Sequence, residues 1–319
     1  MSARFRIGLV LGCGFVMAMA CADFAEAVTT GGHDVADVKP EWTAEGRKAA
    51  AHLAALSAKD EMVPIPAGPF LMGSTRQVDR NSYQAEFPQR PVSLNAYEID
   101  KYEVTMVQYL RYVLAMGLEP LVDWKWGGVF QETMANHPIM HVSWADADAY
   151  CKWAGKRLPT EAEWEKAARG EDGRIYPWGN QMAGLSRANF GRTGLSGPVR
   201  DRPERLLLYP PIVSVDKYEN AVSPYGVFNM AGNVAEWVAD WYDPTYYQQG
   251  PDRNPTGPDQ RTSKAFRGGG WVDSTLSVRA AQRNGTDPNA KMNWLGFRCA
   301  RDAASVTQGQ PNQTALPRQ

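Results

Sequence analysis

Cysteine and histidine are scarce: four of each stand among 319 residues. His33 and His52 lie in the N-terminal lead-in. His137 and His141 are four apart, a spacing that suits a zinc pair only on a continuous helix; Pro138 lies between them and no third ligand is near. They are read as structural. With so few thiols and imidazoles, no Ser-His-Asp or Cys-His nucleophile set can be assembled. A charge excess is also lacking. The 34 Lys and Arg against 35 Asp and Glu leave a net charge of −1, so there is no basic face for nucleic acid and no acidic tail. Beyond the first 27 residues no apolar run is long enough to span a bilayer. Present instead are 11 Trp, 13 Tyr, 29 Gly and 22 Pro. That texture belongs to compact, loop-rich folds with large buried rings.

The N-terminus, MSARFRIGLVLGCGFVMAMACADFAEAV, has Arg4 and Arg6, an apolar run from Ile7 to Ala20, and small-residue cleavage sites. It reads as a secretory signal peptide over 1–27, which places the chain in the periplasm or secreted. Cys21 keeps a lipoprotein reading open, the one route by which this chain would sit on a membrane. Against it, Ala18 occupies the position where lipoprotein sites usually carry Leu. With Cys13 and Cys21 in or beside the signal, the mature body keeps Cys151 and Cys299. An even pair in an exported protein favours one disulfide over two buried thiols. It would close a loop of about 150 residues and contribute about 2–4 kcal/mol.

Residues 28–60 read as a mobile lead-in helix and linker, 61–303 as one α+β domain, and 304–319 as a disordered tail. MVPIPAGPFLMGS suits a short strand pair. Val92–Ile99 alternates as a strand does. Helical spacing covers Val104–Ala115, with Thr105 as N-cap and Gly117 as stop. Two more helices follow, one capped by Ser143 with Asp146 at capping-box spacing, one by Thr160 with Glu163. Turn chemistry dominates after Gly170, and Arg192–Val222 reads as a long surface loop.

Two stretches carry candidate chemistry. In FNMAGNVAEWVADWY, Asn229, Gly232, Asn233 and Glu236 offer amide, carbonyl and carboxylate oxygens within eight residues, as a hard cation wants. The competing reading is a turn that N-caps a helix carrying Trp237 and Trp241 into the core. RGGGW resembles an anion nest but lacks the Walker pattern. Behind it, Arg279 and Arg283 stand as a carboxylate clamp or as a packed, salt-bridged pair.

Seven ordered blocks over about 240 residues, among them AYCKWAGKRLPTEAEW, YPWGN, FNMAGNVAEW, FRGGGW and NWLGFRCAR, closely resemble the formylglycine-generating enzyme (sulfatase-modifying factor) family. That family includes the ergothioneine sulfoxide synthase domain and the pyoverdine-maturation oxidase. The resemblance implies a C-type-lectin-like fold with few regular elements, and a disulfide between Cys151 and Cys299. It implies structural calcium held by the side chains of Asn229 and Glu236 and the carbonyls of Gly232 and Val234. For a second family calcium site, Asn189 and the Phe190 carbonyl match the first half, while the partner falls in a divergent loop. The resemblance also implies a copper ion held by two thiolates after the glycine turn, and here it fails. Asp273 stands where the first cysteine would be, the second position falls near Ser277 in a segment about three residues shorter, and Gly270 and Ala235 replace the turn serine and a tryptophan. Soft copper needs soft ligands, so no copper is expected. Nor is cysteine-to-formylglycine conversion.

Two functions follow from that departure. The first is an exported accessory or maturation protein for another periplasmic enzyme or peptide. The second is an oxidase of a peptide or siderophore precursor, like the pyoverdine branch, with Asp273 or Glu103 as base and Arg283 and Ser277 beside it.

Overall fold

The computed structural model describes residues 44–119, 132–192 and 212–303. The stretch read as a signal peptide, the C-terminal tail and most of the 192–222 loop lie outside them. Four short helices, α1 (Ala44–Ala54), α2 (Met106–Ala115), α3 (Trp144–Trp153) and α4 (Glu161–Arg169), surround three small sheets. In chain order the strands are β1 (Met62–Ile65), β2 (Gly68–Met72), β3 (Arg90–Leu94), β4 (Tyr97–Asp100), β5 (Ala235–Trp241), β6 (Lys264–Arg267), β7 (Arg283–Thr286), β8 (Leu295–Phe297) and β9 (Ala300–Asp302). The sheets run β1-β4-β9, β2-β3 and β7-β6-β5-β8. This is the expected α+β architecture.

The capping residues set the helix starts as their sequence positions imply. Thr105, Ser143 and Thr160 each accept a hydrogen bond from the amide three residues on. In return Gln108, Asp146 and Glu163 accept from the cap amide. The Asp146 box closes although Glu and Gln are the usual partners.

Three expectations need correction. Met62–Ser74 forms two strands, but they do not pair with each other: β1 pairs with β4 and β2 with β3. Their partners arrive later in the chain, so local texture could not identify them. The lead-in helix is docked, not loose. Ala50 and Leu53 of α1 cover Leu110 of α2, and Arg111 donates to the Ala54 and Leu56 carbonyls at the end of α1. The stretch carrying Trp237 and Trp241 is a strand, not a helix. β5 lies between β6 and the parallel strand β8, with a register shift between the two tryptophans. Trp237 is fully buried, and Trp241 lies beneath the Lys264 ammonium at 4.2 Å.

Cys151 on α3 and Cys299, just before β9, are joined by a disulfide, as expected. It fastens α3 to the short link between β8 and β9.

Candidate functional site

The oxygen-rich segment 229–236 runs from a tight turn into β5. Asn229 and Asn233 hold positive φ angles of 52° and 65°, a region that Asn tolerates better than most residues. Gly232 sits at φ +82°, and a Cβ there would come 2.6 Å from the Asn189 carbonyl. Only glycine allows the two chains to meet so closely. The turn is pinned from both sides: Asn233 N donates to Asn189 O at 2.7 Å, and Trp271 N donates to Asn233 O at 2.8 Å. The 229–236 turn, the Asn189–Phe190 segment and the glycine turn are therefore joined through one residue. The counterpart required by the second calcium site falls among residues 193–211, outside those described.

Side chains complete a buried polar cradle. Glu103, between β4 and α2, is 1% exposed. Its Oε2 accepts from Asn229 Nδ2 at 2.8 Å and from Asn233 Nδ2 at 3.4 Å. Its Oε1 is buried with no hydrogen-bond partner. Burial pushes the Glu103 carboxyl up to about 8, with the Glu236 carboxylate adding to the rise against the pull of Arg298. Glu236 is fully buried and gripped by Arg298, Nε to Oε2 at 2.7 Å and Nη2 to Oε1 at 2.6 Å; Trp164 Nε1 also donates to Oε2 at 2.8 Å. Arg298 is the cradle's compensating cation, and sequence reading had no signal for it beyond its place in GFRCAR.

This donor set fits a hard cation. An orphaned buried carboxylate oxygen, a second carboxylate with lone pairs to spare, and amide and carbonyl oxygens on a bent backbone are the chemistry such an ion takes. The set does not fit copper. Cys151 and Cys299, the two cysteines among the described residues, are bonded to each other, so among those residues no thiolate faces the glycine turn.

In that turn Asp273 is half-buried. Its Oδ2 accepts from Gly270 N at 2.8 Å, and its own amide donates to Gly270 O at 3.0 Å. The carboxylate thus braces the turn on which it stands, leaving Oδ1 without a partner among the described residues. Burial raises its pKa, partly opposed by the Gly270 amide. Asp273 O and Trp271 O accept from the amides of Gly191 and Arg192. Ser277 is half-buried in the same loop, its amide donating to Ser274 O. A Cβ on Gly270 would lie 2.7 Å from Trp294 O, so the serine of the family turn does not fit here without a backbone shift.

The remaining candidates do not join this turn. Glu103 is sealed in the cradle and cannot meet a substrate as a base. Arg283 does not orient anything beside Asp273. Its Nε and Nη2 grip the two oxygens of Glu161 at 2.8 and 2.6 Å, and its Nη1 donates to Ala85 O and Asp243 O. Arg279 is likewise engaged by Glu86 and Asp79. Of the two readings offered for these arginines, the packed pair is the one observed. Burial explains why: a guanidinium this far inside is costly unless carboxylates and carbonyls meet it.

A model of the sulfatase-modifying factor enzyme 1-like domain matches residues 47–303. The formylglycine-generating enzyme of Streptomyces coelicolor is 44% identical over 180 residues, which is 54% of this chain and 55% of that one. The mouse protein named inactive C-alpha-formylglycine-generating enzyme 2 is 30% identical over 289 residues, 76% of this chain and 86% of that one. Among solved structures, PvdO from Pseudomonas aeruginosa superposes with a TM-score of 0.59 at 25% identity, covering 76% of this chain and 95% of that one.

Proposed function

The chain belongs to the sulfatase-modifying factor enzyme 1-like family, and from that premise we propose that it is an exported accessory or maturation protein acting on another protein or peptide, without cysteine-to-formylglycine activity. The observation that carries this reading is the glycine turn itself. Where copper thiolates would stand, Asp273 braces Gly270, and the two cysteines of the described domain are locked in a disulfide elsewhere. Formylglycine-generating relatives act on protein substrates, so a protein or peptide partner is the natural counterpart. The mouse relative named inactive supports a family in which membership does not carry that activity. The signal-like N-terminus and the disulfide support export.

We further assign the cradle to structural calcium, held by the Asn229 and Glu236 side chains with the carbonyls of Gly232 and Val234. Calcium there would tie the 229–236 turn to β5 and so fix the floor beneath the glycine turn.

The likeness to PvdO favours a second reading, an oxidase of a peptide or siderophore precursor. In that reading Asp273, whose Oδ1 has no partner among the described residues and whose pKa burial raises, takes the substrate proton. Two measurements decide. The full chain, supplied with Cu(I), oxygen and a cysteine-containing sulfatase peptide, yields no aldehyde by mass spectrometry; stoichiometric aldehyde overturns the proposal. Asp273→Ala leaves partner capture and maturation of the partner intact under the accessory reading and abolishes turnover under the oxidase reading.

A further inference from the structure

We propose that three loops, 74–86, 175–192 and 270–279, form a docking surface for an acidic segment of the partner protein that also carries apolar side chains. This rests on the protein-partner reading above and names the chemistry of that partner. The loops meet at one guanidinium. Arg279 Nε donates to Leu276 O at 2.8 Å, its Nη groups grip Asp79 and Glu86, and its Cζ lies 5.5 Å from the centre of the Tyr83 ring. Loop 175–192 joins them through Ala280 N, which donates to Ile175 O at 2.8 Å, and through Val278, which packs with Tyr176, Ala183 and Phe190. Its far end returns to the glycine turn, where Gly191 N donates to Asp273 O at 2.7 Å.

Two properties of these loops point to that partner. The first is apolar surface. Met182 is 81% exposed, and Leu185, Tyr83, Val78 and Leu276 are exposed as well. Half of the large apolar side chains left exposed among the described residues stand on these three loops. Grouped exposure marks an interaction site, where single scattered residues do not. Met182 sits on a braced turn. Trp178 Nε1 donates to Gln181 O at 3.0 Å on one side of it, and Arg187 N donates to Gly184 O at 2.9 Å on the other. An apolar side chain held out by a rigid turn loses little freedom when a partner covers it. The second property is charge. The acids of the three loops are Asp79, Glu86 and Asp273. The first two are buried against Arg279, and the third is half-buried against Gly270 N. No exposed carboxylate is left on them. Arg76 and Arg80 are exposed, and the Arg187 guanidinium lies 5.9 Å from the centre of the Trp178 ring system; none of the three meets a carboxylate among the described residues. Surface cations elsewhere are paired, Lys101 with Glu61, Lys152 with Asp148 and Arg301 with Glu98. Open guanidiniums take carboxylates in a forked geometry. An anionic lipid surface fits less well, since lipid-binding patches gather about four to eight cations and Asp273 places a carboxylate among these.

The test uses the full chain and three short fluorescein-labelled peptides, read by fluorescence anisotropy. One alternates Glu with Leu and Phe. The second has Lys in place of Glu, and the third has Ser in place of Leu and Phe. The first is expected to bind at least about tenfold more tightly than either control, and to weaken as ionic strength rises from about 0.01 M to about 1 M. Met182→Asp and Arg187→Glu are each expected to weaken it at least about tenfold while melting at the parent's temperature. Arg76→Glu combined with Arg80→Glu decides the charge arm should Arg187→Glu loosen the loop around Trp178. Either control peptide binding as tightly as the first overturns the stated partner chemistry and leaves the protein-partner reading untouched. Unchanged affinity in Met182→Asp and in the charge variants puts the peptide elsewhere and overturns the surface. Sedimentation of the parent with phosphatidylglycerol vesicles, lost in the same variants while no peptide binds, assigns the loops to lipid instead. If neither peptide nor vesicle binds, this surface falls alone, since the aldehyde and turnover measurements above test the partner reading independently.

Discussion

Two places in this fold bury carboxylates together, and they are neutralised in different ways. Around α4, Glu161 and Glu165 meet three guanidiniums. Arg267 bridges them, to Glu161 at 3.0 Å and to Glu165 at 2.6 Å. Arg283 grips Glu161, and Arg169 pairs with Glu165 at 2.9 Å while donating to the Gly73 and Gly173 carbonyls. Tyr247 and the Gly73 amide also donate to Glu165. Burial pushes the Glu165 carboxyl up, but Arg267 and Arg169 outweigh it and hold the group below its ordinary range. The cradle holds Glu103 and Glu236 against one guanidinium, and an oxygen is left over. In the first cluster every carboxylate oxygen is answered by a donor, although Arg267 Nε is itself buried without a partner; in the cradle it is a carboxylate oxygen of Glu103 that has none. A buried charge with all its partners is structure, and a buried charge short of a partner points to a ligand.

The comparison breaks most visibly at Arg267. Arg267→Met leaves Glu161 and Glu165 short of their shared cation, and is expected to cost about 3–5 kcal/mol in urea unfolding. A smaller loss would mean that Arg169 and Arg283 suffice. Next in size, removal of the disulfide through Cys151→Ser and Cys299→Ser is expected to cost about 2–4 kcal/mol in the same assay. Neither change is expected to abolish calcium binding, because neither removes a side chain that hydrogen-bonds Glu103 or Glu236.

The cradle answers to a different perturbation. Calcium at a hundredfold excess over its dissociation constant is expected to stabilise the parent by about 2.7 kcal/mol, and chelator to remove that gain. Asn229→Ala should lose the calcium response while keeping the stability of the chelated parent to within about 1 kcal/mol. Arg267→Met should keep the full calcium response on its lower baseline. If both variants respond alike, the two clusters are one cooperative unit and the contrast is lost.

Legibility differed between these regions for physical reasons. Caps and helix ends were readable because each depends on residues three or four apart: Thr105, Ser143 and Thr160 do what their spacing implies. The disulfide was readable because two cysteines remained outside the stretch read as a signal peptide. The oxygen-rich segment was visible since Asn229, Gly232 and Glu236 crowd eight residues. What it is made of was not, because Glu103 and Arg298 come from positions 126 residues before Asn229 and 62 residues after Glu236. The role of Arg283 was misread for the same reason. Its partner Glu161 is 122 residues away, and four-residue spacing from Arg279 suggested a clamp. The character of α4 was equally hidden. EAEWEKAAR has the composition of a solvated helix, yet all nine residues are buried, which is tolerable only because arginines from β6 and β7 arrive to meet it. The competing reading of the 229–236 stretch, a helix carrying Trp237, failed since the strand's partners, β6 and β8, lie further along the chain than any local pattern reaches.

The subtlest difference concerns a third acid that borders the closed cluster. Asp240, on β5, is buried, and its Oδ2 accepts from the Glu161 amide at the start of α4 at 2.8 Å. Burial pushes its carboxyl up to about 8, and the Glu161 carboxylate adds to the rise, with Glu163 beside it and Arg283 pulling the other way. Lys264 also faces it, its ammonium directed at the Ala239 carbonyl. The folded value lies above the ordinary 3.8, so folding retains a proton that the unfolded chain releases. The stability this contributes is complete below about pH 4, declines as pH rises, and is gone above about 8. Asp240→Asn keeps an oxygen for the Glu161 amide and removes the titration. Its advantage over the parent should therefore widen between pH 5 and 8, by at most about 1.4 kcal/mol per pH unit, when urea unfolding is followed across that range. Parallel pH profiles for variant and parent would mean that Asp240 is ionised in the fold. The arginines around α4 would then be compensating three carboxylates, and the closed cluster would extend further along β5 than its direct ion pairs indicate.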